Sequence, residues 1–300
     1  MHETVFAKAL KFGFDHIPLF ARRALIKPMI IRAELGCYFK SNQIKIPPHH
    51  IIGRKELLQR LGSRRNDVCH ILGSGWSLID GLQNISIEDS VYTCNMGGLL
   101  NLDYDLWFVE FAKFGDDRIG QLSLLQRQII EARAPNIKNL IFKNIWQDKL
   151  EWNYIDKNYQ IPYAILKDVH FPISPSRVTN EELIGELLFP PRNIVLQHSS
   201  TVLTMILIAF WHGFKEIVVH GLDGEGQYYF QRDETVIPSH LSASFRSLFP
   251  GSTDAAATSH QSNTLIGPFI FELRQKMEEF GVSLRSATST SPLSRYLDVR

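Results

Sequence analysis

The feature that most limits the fold is a succession of short apolar runs, each ending near a glycine or a small polar residue, that begins after Asp67 and alternates with segments of helical period. Residues 68–72 (VCHIL), 91–94 (VYTC) and 106–111 (LWFVEF) come first, 140–142 and 216–220 follow, and 282–285 closes the series. Runs this short, apolar without strict alternation, are buried on both faces, as strands of a parallel sheet are. Between them, residues 116–134 (DDRIGQLSLLQRQIIEARA) carry helical period behind an acidic first turn. Residues 201–212 form an apolar helix preceded by the capping pair Ser199 and Ser200 and stopped by Gly213, and 269–280 form an amphipathic helix stopped by Gly281. The alternation predicts an α/β chain with a single Rossmann-like parallel sheet flanked by helices.

Two segments stand outside the alternation. Residues 1–66 read as a basic, amphipathic, helical extension: before residue 33, Lys8, Lys11, Arg22, Arg23, Lys27 and Arg32 face only Glu3 and Asp15, and phenylalanines and leucines interleave with them. Such a segment suits either packing on the core or contact with an anionic membrane surface or a partner. Within the domain expected over residues 67–300, residues 224–259 are rich in Gly, Ser, Gln and aromatics with no clear period until late, which reads as a lid.

Charge and cysteine usage exclude several classes. With 32 Lys+Arg against 31 Asp+Glu the chain has no surplus for wrapping a polyanion, so nucleic acid is not an expected partner. The three cysteines, Cys37, Cys69 and Cys94, form no Cys-x-x-Cys pair, so neither a disulfide framework nor a zinc ribbon follows and a reducing compartment fits best. The first twenty residues lack the apolar core of a secretory signal, and the longest strongly apolar run, 202–211, is too short to cross a bilayer. The expected location is the cytoplasm, with peripheral contact to the inner membrane through residues 1–66 and a homo-oligomer both left open.

In an open parallel sheet, ligands bind at the carboxyl ends of the strands. The residues there are Gly73-Ser74-Gly75, Asn95, Glu110, residues 197–201 and Asp223. Gly73-Ser74-Gly75 leads from a strand into a turn and a helix start, where free backbone N–H groups can receive a phosphate. The dinucleotide fingerprint would need a glycine where Leu78 stands and an acid where Asn95 stands, which argues against NAD. An amide after the second strand both donates and accepts, which suits a base edge, a phosphate or a ribose; a simple turn asparagine is the alternative. Asp103 and Asp105 have metal-ligand spacing but precede the third strand, at the wrong edge of the sheet, so no metal is expected. His260, in TSHQSN where the lid rejoins the core, is a candidate general base near neutral pH, against the plainer alternative of a surface histidine. His198, beside a helix N-terminus, reads equally as a capping contact.

The segments ILGSGWSL, VYTCNMGG, HSSTVLTMILIAFWHGFKEIVVHGLDG, YYF and SHQSN, taken together, resemble the bacterial lipooligosaccharide sialyltransferases of glycosyltransferase family 42, in order and approximate spacing, over roughly residues 67–297. The resemblance implies a variant GT-A type Rossmann-like domain with a small lid. That domain binds a CMP-activated sugar acid and transfers it to a glycan acceptor, with inversion and with no cofactor or metal, in the synthesis of lipooligosaccharide or capsular polysaccharide. It places Gly73, Ser74 and Gly75 at the turn near the nucleotide, with Ser74 where the family usually has asparagine. Asn95, following Cys94, corresponds to the asparagine that holds the nucleotide. Glu110 falls where the family has another asparagine near the sugar or phosphate. Ser200 and Thr201 correspond to a Thr-Ser pair at a helix N-terminus; Ser199, from its place in the cap of that helix, and Asp223, from its place after a strand, are counted as donor-binding candidates beside them. Tyr228 or Tyr229 corresponds to one of two tyrosines that support the departing phosphate, the other falling near Gly224 and Glu225 and being absent, and His260 corresponds to the general base.

Three alternatives stay open at this level. The donor sugar can be another CMP-linked acid such as Kdo, pseudaminic or legionaminic acid. The fold can serve a different nucleotide enzyme, a methyltransferase or pyrophosphokinase using S-adenosylmethionine or ATP with metal. The chain can also be a non-catalytic nucleotide-binding scaffold that docks through its basic N-terminal segment.

Overall fold

A computed structural model of the chain describes residues 46–143, 150–171, 177–190, 192–198, 200–223, 227–250 and 260–300, with isolated positions at 28, 31, 35 and 39. The strands are β1 (Ile51–Ile52), β2 (Val68–Leu72), β3 (Ser90–Cys94), β4 (Leu106–Val109), β5 (Leu140–Phe142), β6 (Tyr163–Leu166), β7 (Asp168–Phe171), β8 (Val195–His198), β9 (Glu216–His220), β10 (Ser283–Ser286) and β11 (Asp298–Val299). The α-helices are α1 (Arg54–Leu61), α2 (Arg118–Arg133), α3 (Trp152–Asn158), α4 (Arg177–Leu188), α5 (Thr201–His212), α6 (Tyr229–Arg232), α7 (Ser242–Leu248) and α8 (His260–Glu278).

Nine strands form one sheet in the order β1-β6-β5-β4-β3-β2-β9-β10-β11. Every pairing in it is parallel. β7 and β8 pair separately, also in parallel. From β2 the chain steps outward through β3, β4, β5 and β6, then returns to lay β9 on the other side of β2. The sheet therefore has its topological switch point between β2 and β9, the place where open α/β sheets bind ligands.

Period-two alternation within the strands feeds two cores, one on each face of the sheet. Cys69, Ile71, Tyr92, Cys94, Leu106, Phe108 and Ile141 point to one face, where Leu57 of α1, Leu187 of α4, Ile208 of α5 and Leu273 of α8 cover them. Leu72, Val91, Trp107, Val109, Leu140 and Phe142 point to the other, covered by Ile129 of α2, Ile155 of α3, Phe230 of α6 and Phe245 of α7. The fold is thus a three-layer α/β arrangement. α5 buries every residue from Thr201 to Ala209, which explains its unbroken apolar sequence. It starts where Ser200 Oγ accepts the Val202 N–H and stops at Gly213, whose φ of 90° lets its N–H reach the Ala209 and Phe210 carbonyls.

The structure departs from the sequence expectation in four places. The extension expected over residues 1–66 gives way to the core earlier than residue 67: Ile51 and Ile52 pair with β6 at the sheet edge, and Leu57 is fully buried. The strand expected over 106–111 ends at Val109, because the N–H of Glu110 turns to the Asn95 side chain at 3.1 Å. The last helix begins at His260 rather than at 269 and continues through Pro268. Residues 227–250, expected as an irregular lid, contain α6 and α7, whose Phe230 and Phe245 belong to the core. No helix among the described residues is long and apolar enough to cross a membrane.

Candidate active site

The switch point is closed by glycines. The Gly73 N–H donates to the His220 carbonyl at 2.9 Å and the Gly75 N–H to the Gly221 carbonyl at 2.8 Å. A Cβ on Gly73 would lie 2.4 Å from the Gly221 oxygen, and one on Gly75 would lie 2.5 Å from Asp223 Oδ2. These glycines are required by close approach to the β9 turn. This corrects the expectation that their N–H groups are free for a phosphate, and it leaves Ser74 at the crest of the turn as the residue able to present its own. The segment that follows, Trp76–Asn84, is a 3₁₀ helix rather than an α-helix, so the turn does not feed a regular helix dipole.

Asp223 holds this turn in place. Its carboxylate accepts the Ser77 N–H at 2.7 Å, the Ser77 hydroxyl at 2.5 Å and the Ser291 hydroxyl at 3.0 Å. Burial pushes its pKa up, while the Ser77 and Ser291 hydrogen bonds oppose that shift. Expected as a donor ligand, Asp223 is spent on fixing the backbone behind the site.

One strand over, the chain builds a connected polar cluster. Asn95 follows β3 at φ 47°, a left-handed conformation that asparagine tolerates better than most non-glycine residues. Its Oδ1 accepts the Glu110 N–H and, at 3.3 Å, Gln126 Nε2, while its Nδ2 donates to Glu110 Oε2 at 3.3 Å. Thr201, the first residue of α5, donates its hydroxyl to the same Glu110 oxygen at 3.3 Å. Lys143, directly after β5, donates to Thr201 Oγ1 at 2.9 Å. Asn95, Glu110 and Thr201, expected at the donor site from sequence, are thereby brought together. Gln126 and Lys143 are additions that the sequence motifs did not single out. Cys94 lies just beneath, its thiol pushed up to about 12 by burial first and by the Glu110 charge second, so it is not a nucleophile.

The two candidate tyrosines have different surroundings. Tyr229 is fully buried and donates its hydroxyl to the Met96 carbonyl at 2.9 Å, which makes it an anchor under the site. Tyr228 pairs with Gly75 in an antiparallel bridge and stacks on Phe230 at 5.0 Å. Burial raises its phenol above the ordinary value, and the Arg118 charge works against that rise. The attachment is reinforced where the Tyr229 N–H donates to the Ser74 carbonyl at 3.3 Å and Arg232 donates to the Trp76 carbonyl and to Asp80. Of the pair, Tyr228 is the one placed beside the glycine turn whose hydroxyl makes no hydrogen bond to the core among the described residues.

His260 opens α8, and its side chain lies outside the described residues, as do Ser199 and the His198 side chain. Ser200 serves as the N-cap of α5, its oxygen engaged by Val202. Asp103 accepts from Asn136 and Asp105 from Lys138, both at the amino edge of the sheet. Among the described residues no group of three His, Cys, Asp or Glu side chains is arranged to hold a metal. A second buried polar chain, which sequence reading missed, crosses from β9 to β2: His220 Nε2 meets His70 Nδ1 at 2.8 Å, and His70 Nε2 meets Asp89 Oδ2 at 2.9 Å.

No family model and no curated protein matches the chain. Among solved structures it is similar to the sialyltransferase CST-II in complex with a trisaccharide acceptor and CMP, at 16% identity and a TM-score of 0.44 over 77% of this chain and 85% of that one. It is also similar to the monofunctional α-2,3-sialyltransferase Cst-I from Campylobacter jejuni, at 17% identity and a TM-score of 0.46 over 79% and 81% of the two chains. CstII from Campylobacter jejuni with the substrate analogue CMP-3FNeuAc gives 15% identity and a TM-score of 0.44 over 78% and 86%.

Proposed function

We propose that the chain is a glycosyltransferase that moves a sialic-acid-like sugar from a CMP-activated donor to a hydroxyl of a glycan acceptor in surface polysaccharide or lipooligosaccharide synthesis, with inversion and without a metal. The observation that carries this reading is the convergence of Asn95, Glu110 and Thr201 into one hydrogen-bonded cluster at the carboxyl edge of the sheet. These residues come from three separate elements, and all three stand at positions that the resemblance assigns to the donor site, with Glu110 where that sialyltransferase family has asparagine.

A sugar acid joined through its ketal carbon to a cytidylate phosphate ionises toward an oxocarbenium-like state. The protein's task is therefore to orient the acceptor opposite the phosphate and to meet the charge that leaves with it. In this reading Ser74 and Asn95 hold the nucleotide beside the switch point. Tyr228 donates to the departing phosphate, and the amino end of α5 adds its positive potential. His260 removes the proton from the acceptor hydroxyl, a contribution of about 10² to 10⁴-fold in rate. Residues 224–259 exclude water, which otherwise competes as acceptor. The bases of residues 8–32 suit docking on an anionic membrane surface where glycan acceptors are assembled. The Glu110 carboxylate, where the family has an amide, favours keeping Kdo, pseudaminic and legionaminic acid beside sialic acid as the transferred sugar.

The test is acceptor-dependent release of CMP from a panel of CMP-linked acids, with the glycan product identified by mass spectrometry. Transfer from at least one donor in the presence of EDTA, abolished in His260→Ala without loss of CMP binding, is the expected result. Binding of ATP or S-adenosylmethionine in preference to CMP would overturn it.

A further inference from the structure

The polar cluster contains one charged side chain that neither the motifs nor the resemblance assigns. Lys143 is only 5% exposed, and the Thr201 hydroxyl links its ammonium to the Glu110 carboxylate. Among the described residues its Nζ makes one hydrogen bond, to Thr201 Oγ1. An ammonium has three donors, so the group has capacity left for a ligand. The hydroxyl it meets stands on the first residue of α5, whose leading N–H groups lack intrahelical acceptors, so the lysine and the helix end direct positive potential at the same place.

Strand order says which part of a ligand would reach it. From the glycine turn after β2, the edge runs through Asn95 after β3 and Glu110 after β4 to Lys143 after β5. Neighbouring strands are about 4.8 Å apart, so Lys143 lies about 14 Å along the edge from the switch point. In the transferase reading, a nucleotide seated at the switch point with its sugar extended along this edge would bring that sugar toward β4 and β5.

We propose that Lys143 is the residue that selects an acid sugar. Its ammonium binds the carboxylate of the transferred sugar, Thr201 shares that carboxylate, and Glu110 accepts from sugar hydroxyls beside it. The proposal rests on the transferase reading and deepens it. Lys143 offsets the repulsion that Glu110 would otherwise exert on an incoming carboxylate. A neutral sugar forgoes the charge-assisted hydrogen bond to the ammonium, and the loss of that contact supplies the discrimination.

Calorimetric titration of wild-type protein and Lys143→Met with CMP, CMP-3FNeuAc and CMP-Kdo tests this. The expected result is CMP affinity within about threefold of wild type and a loss of about 10- to 100-fold for the CMP-linked acid that wild type binds, the range for hydrogen bonds to a charged group. Equal losses for CMP and the acid would place the ammonium on the phosphate and overturn the proposal, as would no loss for either. Should Lys143→Met fail to fold, wild-type protein titrated with the neutral carboxamide of CMP-3FNeuAc decides: binding weaker than the acid by about tenfold or more supports the proposal, and equal binding overturns it. Wild-type protein that binds neither CMP nor any CMP-linked acid overturns the transferase reading and this proposal with it. Wild-type binding of both, unchanged in Lys143→Met, overturns this proposal alone.

Discussion

His70 Nδ1 lies 2.8 Å from His220 Nε2, between two central strands of the sheet. Asp89 Oδ2 and the Arg300 guanidinium both lie against His70 Nε2, at 2.9 and 3.0 Å, and among the described residues His220 Nδ1 is buried without a hydrogen-bond partner. Burial lowers both imidazoles, opposed at His70 by Asp89 and helped at His220 by the charges of His70 and Arg300, and His220 falls to about 3.

Stability should therefore depend on pH in a defined window. Both histidines titrate near 6.5 when unfolded, so below that value the unfolded chain takes up protons that the folded chain refuses. The contribution of the pair is level above about pH 7 and is lost as pH falls below about 6.5, for His220 at up to about 1.4 kcal/mol per pH unit down to its folded value of about 3, with His70 adding in the same direction. Asp89, whose carboxyl is held below its ordinary value, acts only at lower pH, adding stability above about 3.9 that is lost as pH falls through its folded value. Urea unfolding at pH 7.5, 6 and 5 should show this slope in wild type and a shallower one in His220→Gln. Equal slopes would contradict the role given to His220.

Asp223 and Gly75 meet across the switch point, and altering either should loosen the same turn. Asp223→Ala strands the Ser77 N–H and two hydroxyls and is expected to cost about 1–3 kcal/mol or more. Gly75→Ala places a methyl 2.5 Å from the Asp223 carboxylate and 2.8 Å from a backbone oxygen, and a similar loss is expected. Because both act on one structure, the double variant should lose less than the sum, which a double-mutant unfolding cycle measures. Strict additivity would place the two residues in separate roles.

Tyr228 and Tyr229 are adjacent in sequence and differ in what their hydroxyls do. Tyr229→Phe removes a buried hydrogen bond to Met96, lowering stability by about 0.5–1.5 kcal/mol with turnover within a few-fold. Tyr228→Phe is expected to leave the melting temperature unchanged and to lower kcat about 10- to 100-fold by withdrawing a donor from the leaving phosphate. The opposite pattern would assign the catalytic hydroxyl to Tyr229.

The central strands were legible in the sequence because apolar runs such as VCHIL and LWFV can be buried only between two layers, and α5 announced both ends through Ser200 and Gly213. The edge was not: β1 has two residues, Ile51 and Ile52, and β6 begins on a half-buried tyrosine, too little for a periodic signal. At the site, Asn95 and Thr201 were visible as polar residues at strand and helix ends. Lys143 was hidden because a lysine after an apolar run reads as a solvated strand end, and only the fold brings it against Thr201. His70 was masked for the related reason that a histidine inside a strand resembles a core residue until its partners on β9 and in the loop before β3 are known.

The most direct test of the account is calorimetric titration of the protein with CMP, against UMP and ADP, with and without EDTA, repeated on Asn95→Gly. Glycine accepts the left-handed backbone at this position, which offsets part of the loss of the Asn95 hydrogen bonds to Glu110 and Gln126, and an unchanged circular dichroism spectrum and melting transition show that the variant titrated is folded. The account predicts CMP-selective binding that is indifferent to EDTA and weakened about tenfold or more in the variant. Equal affinity for the three nucleotides, or CMP binding that does not change in Asn95→Gly, would contradict it.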